Sequence, residues 1–266
     1  MIRFVTLLLF SGILITNSVQ AKHWIHINSD QPKGEKTALL IMNGFGGTRA
    51  GCKAQMAFWQ EQGMDVYIPE VLLRKSLDES SEAMDEFITS YRLDEYKEVK
   101  AICYIAGAFL LHTYLEESPM PNLTMVIYDR SPTQERAPRA VMERIPFLGK
   151  LKLGSVLGDL STAEWPIPPA APVQKGLVIE NRATSIMRYL QAEAMAMGPL
   201  VYDWKLIDPS ANDAFHVALD HDMMYVRWDI LGEPFVYFFE HGRFPADLPR
   251  ERIHDRPIDP KMPIPE

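Results

Sequence analysis

Two residues of this chain are well suited to chemistry: a histidine that lies between two acidic residues, and an aspartate that directly follows an apolar run. His221 lies between two aspartates, and Asp129 directly follows the apolar segment 123–128. An imidazole oriented by a carboxylate is the usual general base of acyl-transfer chemistry. The residue types of His221 and Asp129 therefore suit such chemistry. Two structural alternatives stay open: a surface histidine in an acidic loop, and a structural ion pair or cap formed by Asp129 and Arg130.

A glycine-rich segment is the third such feature. Residues 43–47, with the sequence NGFGG, follow the continuous apolar run 37–42. Glycines permit tight turns in which the backbone approaches a ligand closely. The spacing is neither G-x-G-x-x-G nor G-x-x-x-x-G-K-[ST], so nucleotide binding is not predicted.

Short apolar runs alternate with amphipathic segments and indicate strands and helices in turn. Strands are predicted over 37–42, 64–71, 99–105, 123–128 and 176–180, with weaker signals at 201–207 and 215–219. Helices are predicted over 51–62, 77–93, 107–116 and 232–241. This pattern predicts an α/β fold, a mostly parallel sheet with helices on both faces. Ligand sites of such sheets lie beyond the carboxyl ends of the strands.

We predict one domain over residues 22–244, with one insertion and a tail after it. Residues 131–173 carry seven prolines and a basic, helix-like patch, which predicts a cap or lid over the strand ends. Residues 245–266 carry six prolines and charges of both signs, so an extended C-terminal tail is predicted.

Composition excludes several other classes of protein. The chain has 266 residues, of which 47% are hydrophobic, and this apolar content excludes a disordered chain. Two cysteines are too few for a disulfide-framed scaffold. The formal net charge of −8 argues against a nucleic-acid partner, which would select a basic face.

The N-terminal segment 1–21 has the layout of a secretory signal peptide. Arg3 precedes an apolar run over 4–15, and Val19 and Ala21 have the small-residue spacing of a cleavage site. Cleavage after Ala21 predicts an exported protein, periplasmic or secreted, and an uncleaved anchor is the alternative. No later segment of the sequence is long and apolar enough to span a membrane.

The order of these segments between residues 37 and 244 resembles the α/β-hydrolase superfamily, in particular its lipase- and esterase-like members. Segment 43–47 resembles the family's oxyanion turn, with Asn43 where histidine is usual. Residues 64–71 are similar to the strand after that turn, and residues 239–244 resemble the end of the last helix. The resemblance implies a binding role for residues of the oxyanion turn and of the nucleophile elbow: Asn43, Gly44, Phe45, Gly46, Tyr104 and Gly107.

The family's nucleophile elbow, G-x-S-x-G, corresponds here to residues 103–107, with the sequence CYIAG. The nucleophile position therefore holds Ile105, which has no lone pair to attack a carbonyl. A β-branched residue is also costly in the positive-φ backbone of such an elbow. We expect the turn either to have relaxed or to keep its shape through packing. Cys103 is either a displaced nucleophile or an inert buried thiol.

The resemblance also implies the candidate catalytic pair: His221, in the late loop that carries the family's base, and Asp129 as its acid. The acid of many members follows the strand predicted here over 176–180, and in others it ends the preceding strand, where Asp129 stands. Glu180 and Asp203 are further options, because the region near residue 197 that the spacing to His221 favours holds no carboxylate.

Two functions are consistent with these residues. We favour an exported, non-catalytic protein that uses the hydrolase fold to bind a lipid-like ligand or a protein partner, because Ile105 replaces serine. The alternative is an active esterase or lipase with a displaced nucleophile or a His-activated water. We predict no cofactor and no metal for either. Cys52 and Cys103 fall at neighbouring strand ends in such a fold, so a disulfide between them is conceivable.

Overall fold

A computed structural model of the chain describes residues 23–28, 31–164 and 172–254. Its strands are β1 (Trp24–His26), β2 (Thr37–Met42), β3 (Asp65–Ile68), β4 (Glu98–Cys103), β5 (Leu123–Arg130), β6 (Gln174–Glu180) and β7 (Asp213–Val217). They form one sheet in the order β1-β3-β2-β4-β5-β6-β7. Strand β1 pairs antiparallel with β3, and the other neighbouring pairs are parallel. The predicted α/β fold class is therefore confirmed.

The α-helices of the described residues fill the connections between the strands. They are α1 (Arg49–Trp59), α2 (Leu77–Ser90), α3 (Ile105–Glu117), α4 (Ala137–Arg144), α5 (Pro146–Leu153), α6 (Val156–Thr162), α7 (Ser185–Tyr189), α8 (Gln191–Ala196), α9 (Trp204–Ile207), α10 (His221–Met224) and α11 (Trp228–His241). Helix α2 begins where the sequence indicates, because the Ser76 side chain accepts a hydrogen bond from the Glu79 N–H.

Each face of the sheet carries its own hydrophobic core, because successive strand residues point to opposite sides. On one face, Leu40 of β2 packs in a cluster with Phe87 of α2 and Leu110 of α3. On the other, Leu39 joins a cluster rich in aromatic rings from α1 and α11. Both faces of the strands are thus covered, and the carboxyl ends of β2 and β4–β7 share one edge of the sheet.

One predicted strand is absent from the structure, and another ends before the residue placed at the nucleophile position. The strand predicted over 201–207 is wrong, because the Asp203 side chain caps the short helix α9 by accepting a hydrogen bond from the Lys205 N–H. The strand predicted over 99–105 ends at Cys103, and Ile105 is already the first residue of α3.

The segment predicted as a cap forms helices α4, α5 and α6 between β5 and β6, and its residues 165–171 lie outside the described part. The Leu77 N–H at the start of α2 donates to the Asp159 carboxylate of α6 at 3.0 Å. Gly154, with φ +93°, lies against the Arg74 carbonyl, where a Cβ would come within 2.0 Å of the oxygen. Only glycine fits this contact, which holds the cap to the segment after β3.

The tail predicted over 245–266 is described to residue 254, and this part forms neither helix nor strand. It is tied to the sheet, because Arg250 donates to Asp213 at 2.6 Å and the His216 N–H donates to the Pro249 carbonyl at 2.8 Å. The predicted signal peptide, residues 1–21, lies outside the described residues. None of the described helices combines the length and apolar character that a membrane span needs.

Cys52 and Cys103 are both buried and unpaired, so the conceivable disulfide between them is absent from the structure. Cys52 lies in α1 and Cys103 at the end of β4.

Candidate functional site

Three adjacent strands deliver the polar groups of the candidate site. Asp129 lies near the end of β5, Glu180 ends β6, and His221 begins α10 after β7. Because β5, β6 and β7 are neighbouring parallel strands, their carboxyl ends place the three side chains together at the sheet edge. The structure thus brings together His221 and Asp129, the predicted pair, and adds Glu180, which the sequence had left as one option.

The His221 ring is held by both carboxylates through one nitrogen. Its Nδ1 lies 2.7 Å from Glu180 Oε1 and 2.9 Å from Asp129 Oδ2. All three side chains are buried. This contradicts the alternative of a surface histidine in an acidic loop. The alternative of an ion pair between Asp129 and Arg130 is also wrong, because Arg130 forms its ion pair with Glu135 at 2.6 Å.

Electrostatics favours a positively charged imidazole. Burial lowers the pKa of His221, but the charges of Glu180 and Asp129 outweigh it and hold that pKa well above its usual value. Burial and the neighbouring charge of Asp129 raise the pKa of Glu180 well above its usual value. The cluster therefore holds extra protons at neutral pH. The positive charge of the imidazole offsets negative charge on the two carboxyl groups, which is how such a group tolerates burial.

These three residues are also the grouping among the described residues that could hold a metal ion, since one ligand atom from each lies within 4.8 Å of the others. Glu180 Oε1 lies at hydrogen-bond distance from His221 Nδ1, whereas Glu180 Oε2 and both Asp129 carboxylate oxygens are buried without a hydrogen-bond partner among the described residues.

The other ring nitrogen of His221 faces a tyrosine. The Tyr225 hydroxyl oxygen lies 3.3 Å from His221 Nε2 and accepts a hydrogen bond from the Gly44 N–H at 3.3 Å. Tyr225 is buried, and burial raises the pKa of its phenol well above the usual value, so the hydroxyl stays protonated. A neutral, buried phenol therefore occupies the space between the imidazole and the glycine turn.

A second aromatic ring supports the first. Tyr104 and Tyr225 stack with ring centroids 4.0 Å apart and an interplanar angle of 12°. The Tyr104 hydroxyl donates to the Met224 carbonyl at 3.0 Å and accepts from the Gln55 side chain at 3.2 Å. Tyr104 is buried by these contacts and packs in this tyrosine pair, and its binding role stays a prediction.

The glycine turn is fitted to the same tyrosine. A Cβ on Gly46 would come within 2.4 Å of the Tyr225 ring, so the turn requires glycine for packing at this position. Asn43 exchanges two hydrogen bonds with Gln55, at 3.0 and 2.9 Å, which fixes the start of the turn. Gly44 lies beside Ala106, since a Cβ built on it would be 3.5 Å from the Ala106 nitrogen.

The connection from β4 to α3 has relaxed, one of the two outcomes that the sequence left open. Tyr104 has extended backbone with φ −83°, and Arg92 is the one non-glycine residue with positive φ among those described. Ile105 is buried in the first turn of α3. A Cβ on Gly107 would come within 2.0 Å of the Met42 carbonyl oxygen, so this position needs glycine for helix–strand packing. Its binding role stays a prediction.

Cys103 has the character of an inert thiol. It is fully buried, and burial raises the pKa of its thiol. Burial also raises the pKa of the Cys52 thiol. Neither cysteine is poised as a thiolate nucleophile.

A cavity of about 300 Å³ lies next to this site, between the glycine turn, the segment after β3 and the end of α5. Its lining mixes apolar, cationic and backbone groups: Asn43, Gly44, Phe45, Gly47, Cys52, Pro69, Glu70, Val71, Leu72, Arg74, Lys152 and Leu153. Three of the predicted binding residues are thus cavity-lining, namely Asn43, Gly44 and Phe45. Gly46 is not among the lining residues.

Sequence reasoning missed Tyr225, Arg74 and Lys152. Only one feature of the sequence could have indicated Tyr225 as a site residue. It follows His221 by four residues, a spacing that places the two side chains on the same side of a helix. Arg74 and Lys152 are brought together by the cap, and nothing local in the sequence indicates their meeting.

Comparisons with solved structures show the α/β-hydrolase fold. A lipase from Bacillus licheniformis in its mature form has a TM-score of 0.56 at 11% identity, over 82% of this chain and 97% of the lipase. A carboxylesterase of the thaumarchaeon Nitrososphaera gargenis has a TM-score of 0.54 at 11% identity, over 84% and 94% of the two chains. For a bromoperoxidase from Bacillus anthracis the values are 0.53 and 10%, over 82% and 94%.

No family model and no curated protein matches the sequence. At these low identities the structural similarity establishes the fold alone, and this chain is an α/β-hydrolase-fold protein.

Proposed function

We propose that this chain is a non-catalytic α/β-hydrolase-fold protein that binds a small ligand with an apolar part and an anionic group. The single observation that carries the loss of catalysis is the position of the Tyr225 hydroxyl, 3.3 Å from both His221 Nε2 and the Gly44 nitrogen. In this fold the oxyanion hole combines an N–H of the glycine turn with the N–H after the nucleophile. Here the turn's N–H is already bound to a tyrosine.

The residues around Tyr225 support the same conclusion. A base activates a nucleophile only within hydrogen-bond reach, and the group within reach of His221 Nε2 is a buried phenol with a raised pKa. Ile105 stands where the resemblance places the serine, in a connection without the positive φ of an elbow. Both the nucleophile and the backbone that would present it have been replaced.

The cavity beside the glycine turn supports the proposed ligand class. Its volume of about 300 Å³ suits a small molecule. Apolar walls from Phe45, Val71 and Leu72 face the side chains of Arg74 and Lys152, with Glu70 as the one acid of the lining. Two cations against one acid favour an anionic group such as a carboxylate, and the apolar walls favour a short hydrocarbon part.

Calorimetric titration with a series from butyrate to octanoate tests this proposal. We expect one chain length to bind best and the matching alcohol to bind at least tenfold more weakly. Lys152→Ala should weaken carboxylate binding about tenfold, because one charge-assisted contact is lost. The matched control is Lys150→Ala, on the same helix but outside the lining, which should bind normally. No binding by any carboxylate, or equal binding of alcohol and acid, would contradict the proposed ligand.

A second candidate function is an active esterase-type hydrolase, and the observation that favours it is the imidazole oriented by Glu180 and Asp129. It would require Tyr225 to leave the His221 ring and either a displaced nucleophile or an activated water. A fluorophosphonate probe separates the two functions. Stoichiometric labelling that a single Ser or Cys substitution abolishes would overturn the non-catalytic proposal. Ester hydrolysis that depends on His221 without labelling would favour the activated water.

Export is part of the proposal and is supported by the layout of residues 1–21. Expression with this segment should yield an extracytoplasmic protein whose N-terminus is Lys22. Recovery of the uncleaved chain from the cytoplasm would contradict export.

A further inference from the structure

Helix α5 of the cap exposes its largest apolar side chains to solvent. Phe147 is 77% exposed, Leu148 57% and Leu151 65%. Isolated exposed apolar residues are ordinary, but three large ones on one short helix form a patch. Such a patch on a folded protein marks an interaction surface.

The polar residues of α5 are arranged around that patch. With about 100° of rotation per residue, Phe147, Leu148 and Leu151 share one side of the helix, and Lys150 and Lys152 flank this side on its two edges. Gly149 lies on the opposite side and is buried, where a Cβ would come within 2.5 Å of Val141. The helix therefore packs on the cap through its glycine side and presents a lysine-edged apolar side outward.

The charge of this segment is opposite to that of the chain. Residues 136–153 hold five basic residues and one acidic residue, whereas the whole chain has a net charge of −8. Arg144, Lys150 and Lys152 are exposed. An anionic surface would attract this segment and repel most of the remaining molecule, which fixes the orientation of approach.

The apolar side is held outward by rigid contacts. Arg74 donates from Nη2 to the Leu151 carbonyl at 2.6 Å, and the Val156 N–H donates to the Arg74 carbonyl at 3.3 Å. Together with the close approach of Gly154 to Arg74, these bonds fix the end of α5. The exposed side chains are therefore preformed for an external partner.

We propose that α5 docks this protein on an anionic lipid bilayer, with Phe147, Leu148 and Leu151 inserted among the headgroups. Lys150 and Lys152 would then lie at the level of the lipid phosphates, with their aliphatic stems along the apolar boundary. The apolar side of α5 has a lysine on each edge, so an anionic group is needed next to both edges. A bilayer surface provides lipid phosphates all around an inserted apolar group, and so fits this arrangement better than a protein surface. This proposal does not depend on the absence of catalysis.

A fluorophore at position 148 tests the proposal within the full chain. Cys52 and Cys103 are buried, so Leu148→Cys provides the reactive thiol for an environment-sensitive label such as NBD. We expect a blue shift and a several-fold intensity increase with vesicles of phosphatidylcholine and phosphatidylglycerol, and little change with phosphatidylcholine alone. Because the label reports its own surroundings, membrane binding by the apolar run 4–15 does not imitate this signal.

The matched control is Leu206→Cys, labelled in the same way on α9, where Leu206 is 73% exposed beside one lysine, Lys205, and the capping carboxylate of Asp203. Its emission should not change. Adding Lys150→Ala and Lys152→Ala to the position-148 chain should weaken the response to anionic vesicles about tenfold or more. Unchanged emission at position 148 would overturn the proposal. A shift without vesicles that grows with protein concentration would assign the patch to a second copy of the chain instead, and would equally overturn it.

Discussion

The two halves of the candidate site have different characters. On the side of β5, β6 and β7, Glu180 Oε1 lies at hydrogen-bond distance from His221 Nδ1, and Asp129 Oδ2 lies 2.9 Å from the same nitrogen. On the side of β4, the corresponding groups are Ile105 and a pair of stacked tyrosines. One half thus keeps polar groups suited to proton transfer, and the other is built like a protein core.

The difference shows what a buried polar cluster needs in order to persist. Three ionisable side chains lose their hydration on burial, and they remain tolerable only because each supplies charge or protons to the others. Removing one member is costly, whereas exchanging a serine for an apolar residue leaves no buried charge unpaired. On the proposed non-catalytic function, the imidazole and its acids would be retained for these structural reasons.

The largest expected effect follows removal of the ring that joins the two halves. Tyr225→Ala should lower the free energy of unfolding by about 4 kcal/mol, because it leaves a cavity against Tyr104 and Gly46. Urea denaturation measures this value. Tyr225→Phe keeps the ring and loses one hydroxyl, so it should cost only about 1 kcal/mol. Equal costs for the two variants would show that the hydroxyl, and not the ring, supports the site.

Removal of the imidazole should have the next largest effect. His221→Ala leaves Asp129 and Glu180 buried together without a countercharge, and we expect a loss of about 3 kcal/mol in the free energy of unfolding. Its matched control is Asp222→Ala, an exposed neighbour in the same short helix, with a change within about 0.5 kcal/mol. Carboxylate affinity should persist in both variants, because neither residue lines the cavity. A His221→Ala protein as stable as the parent would contradict the charge-balanced cluster.

A smaller effect concerns the pH dependence of stability. The pKa values of Glu180 and His221 lie well above their usual values in the folded chain, so the folded chain holds more protons than the unfolded chain at neutral pH. Their stabilising contribution is complete below the unfolded pKa values and is lost as pH rises through the folded ones. Burial lowers the pKa of His216 to about 4, which acts in the opposite direction below pH 6.5. Above pH 6.5 this opposite contribution of His216 is absent, so the effect of Glu180 and His221 is measured in that pH window.

In that window the free energy of unfolding of the parent should fall with pH. Glu180→Gln should make the slope shallower by up to about 1.4 kcal/mol per pH unit, since one titrating group is lost. Glu240→Gln, at an exposed position in α11, serves as the control with the parental slope. Denaturation curves at four pH values suffice. A steeper slope for Glu180→Gln would contradict the prediction that folding raises the pKa of Glu180.

The sequence predicted the fold well where the signal was local and continuous. The apolar run 37–42 is strand β2 residue for residue, because a strand buried on both faces needs no polar alternation. The strand predicted over 201–207 is wrong, because Asp203 caps a short helix there despite the apolar residues of this segment. Asp129 and Glu180 could be located from the sequence because each closes a continuous apolar run. Their catalytic role stays a prediction.

The rest of the site depends on contacts between distant parts of the chain. Gly44 and Tyr225 are 181 residues apart and meet only because β2 and the segment after β7 share one sheet edge. Arg74 reaches the cavity beside Lys152 only because the cap folds back over the segment after β3. No periodicity or spacing predicts such pairs, so the tyrosine pair and the cations of the cavity became visible only in the structure.

The smallest expected effect is on chemistry, and it tests which half of the site accounts for the proposed lack of catalysis. Ile105→Ser places a hydroxyl at the position that the resemblance assigns to the nucleophile, with Ile105→Val as the control for folding. We expect no fluorophosphonate labelling and no hydrolysis of short esters above background, because the connection after β4 lacks the strained turn that presents a serine. The double variant Ile105→Ser with Tyr225→Phe also removes the hydroxyl bound to the Gly44 N–H. It should remain inactive as well, since the backbone is unchanged. Labelling of the double variant alone would assign the block to the tyrosine hydroxyl, and labelling of Ile105→Ser by itself would show that the two halves still form one working site.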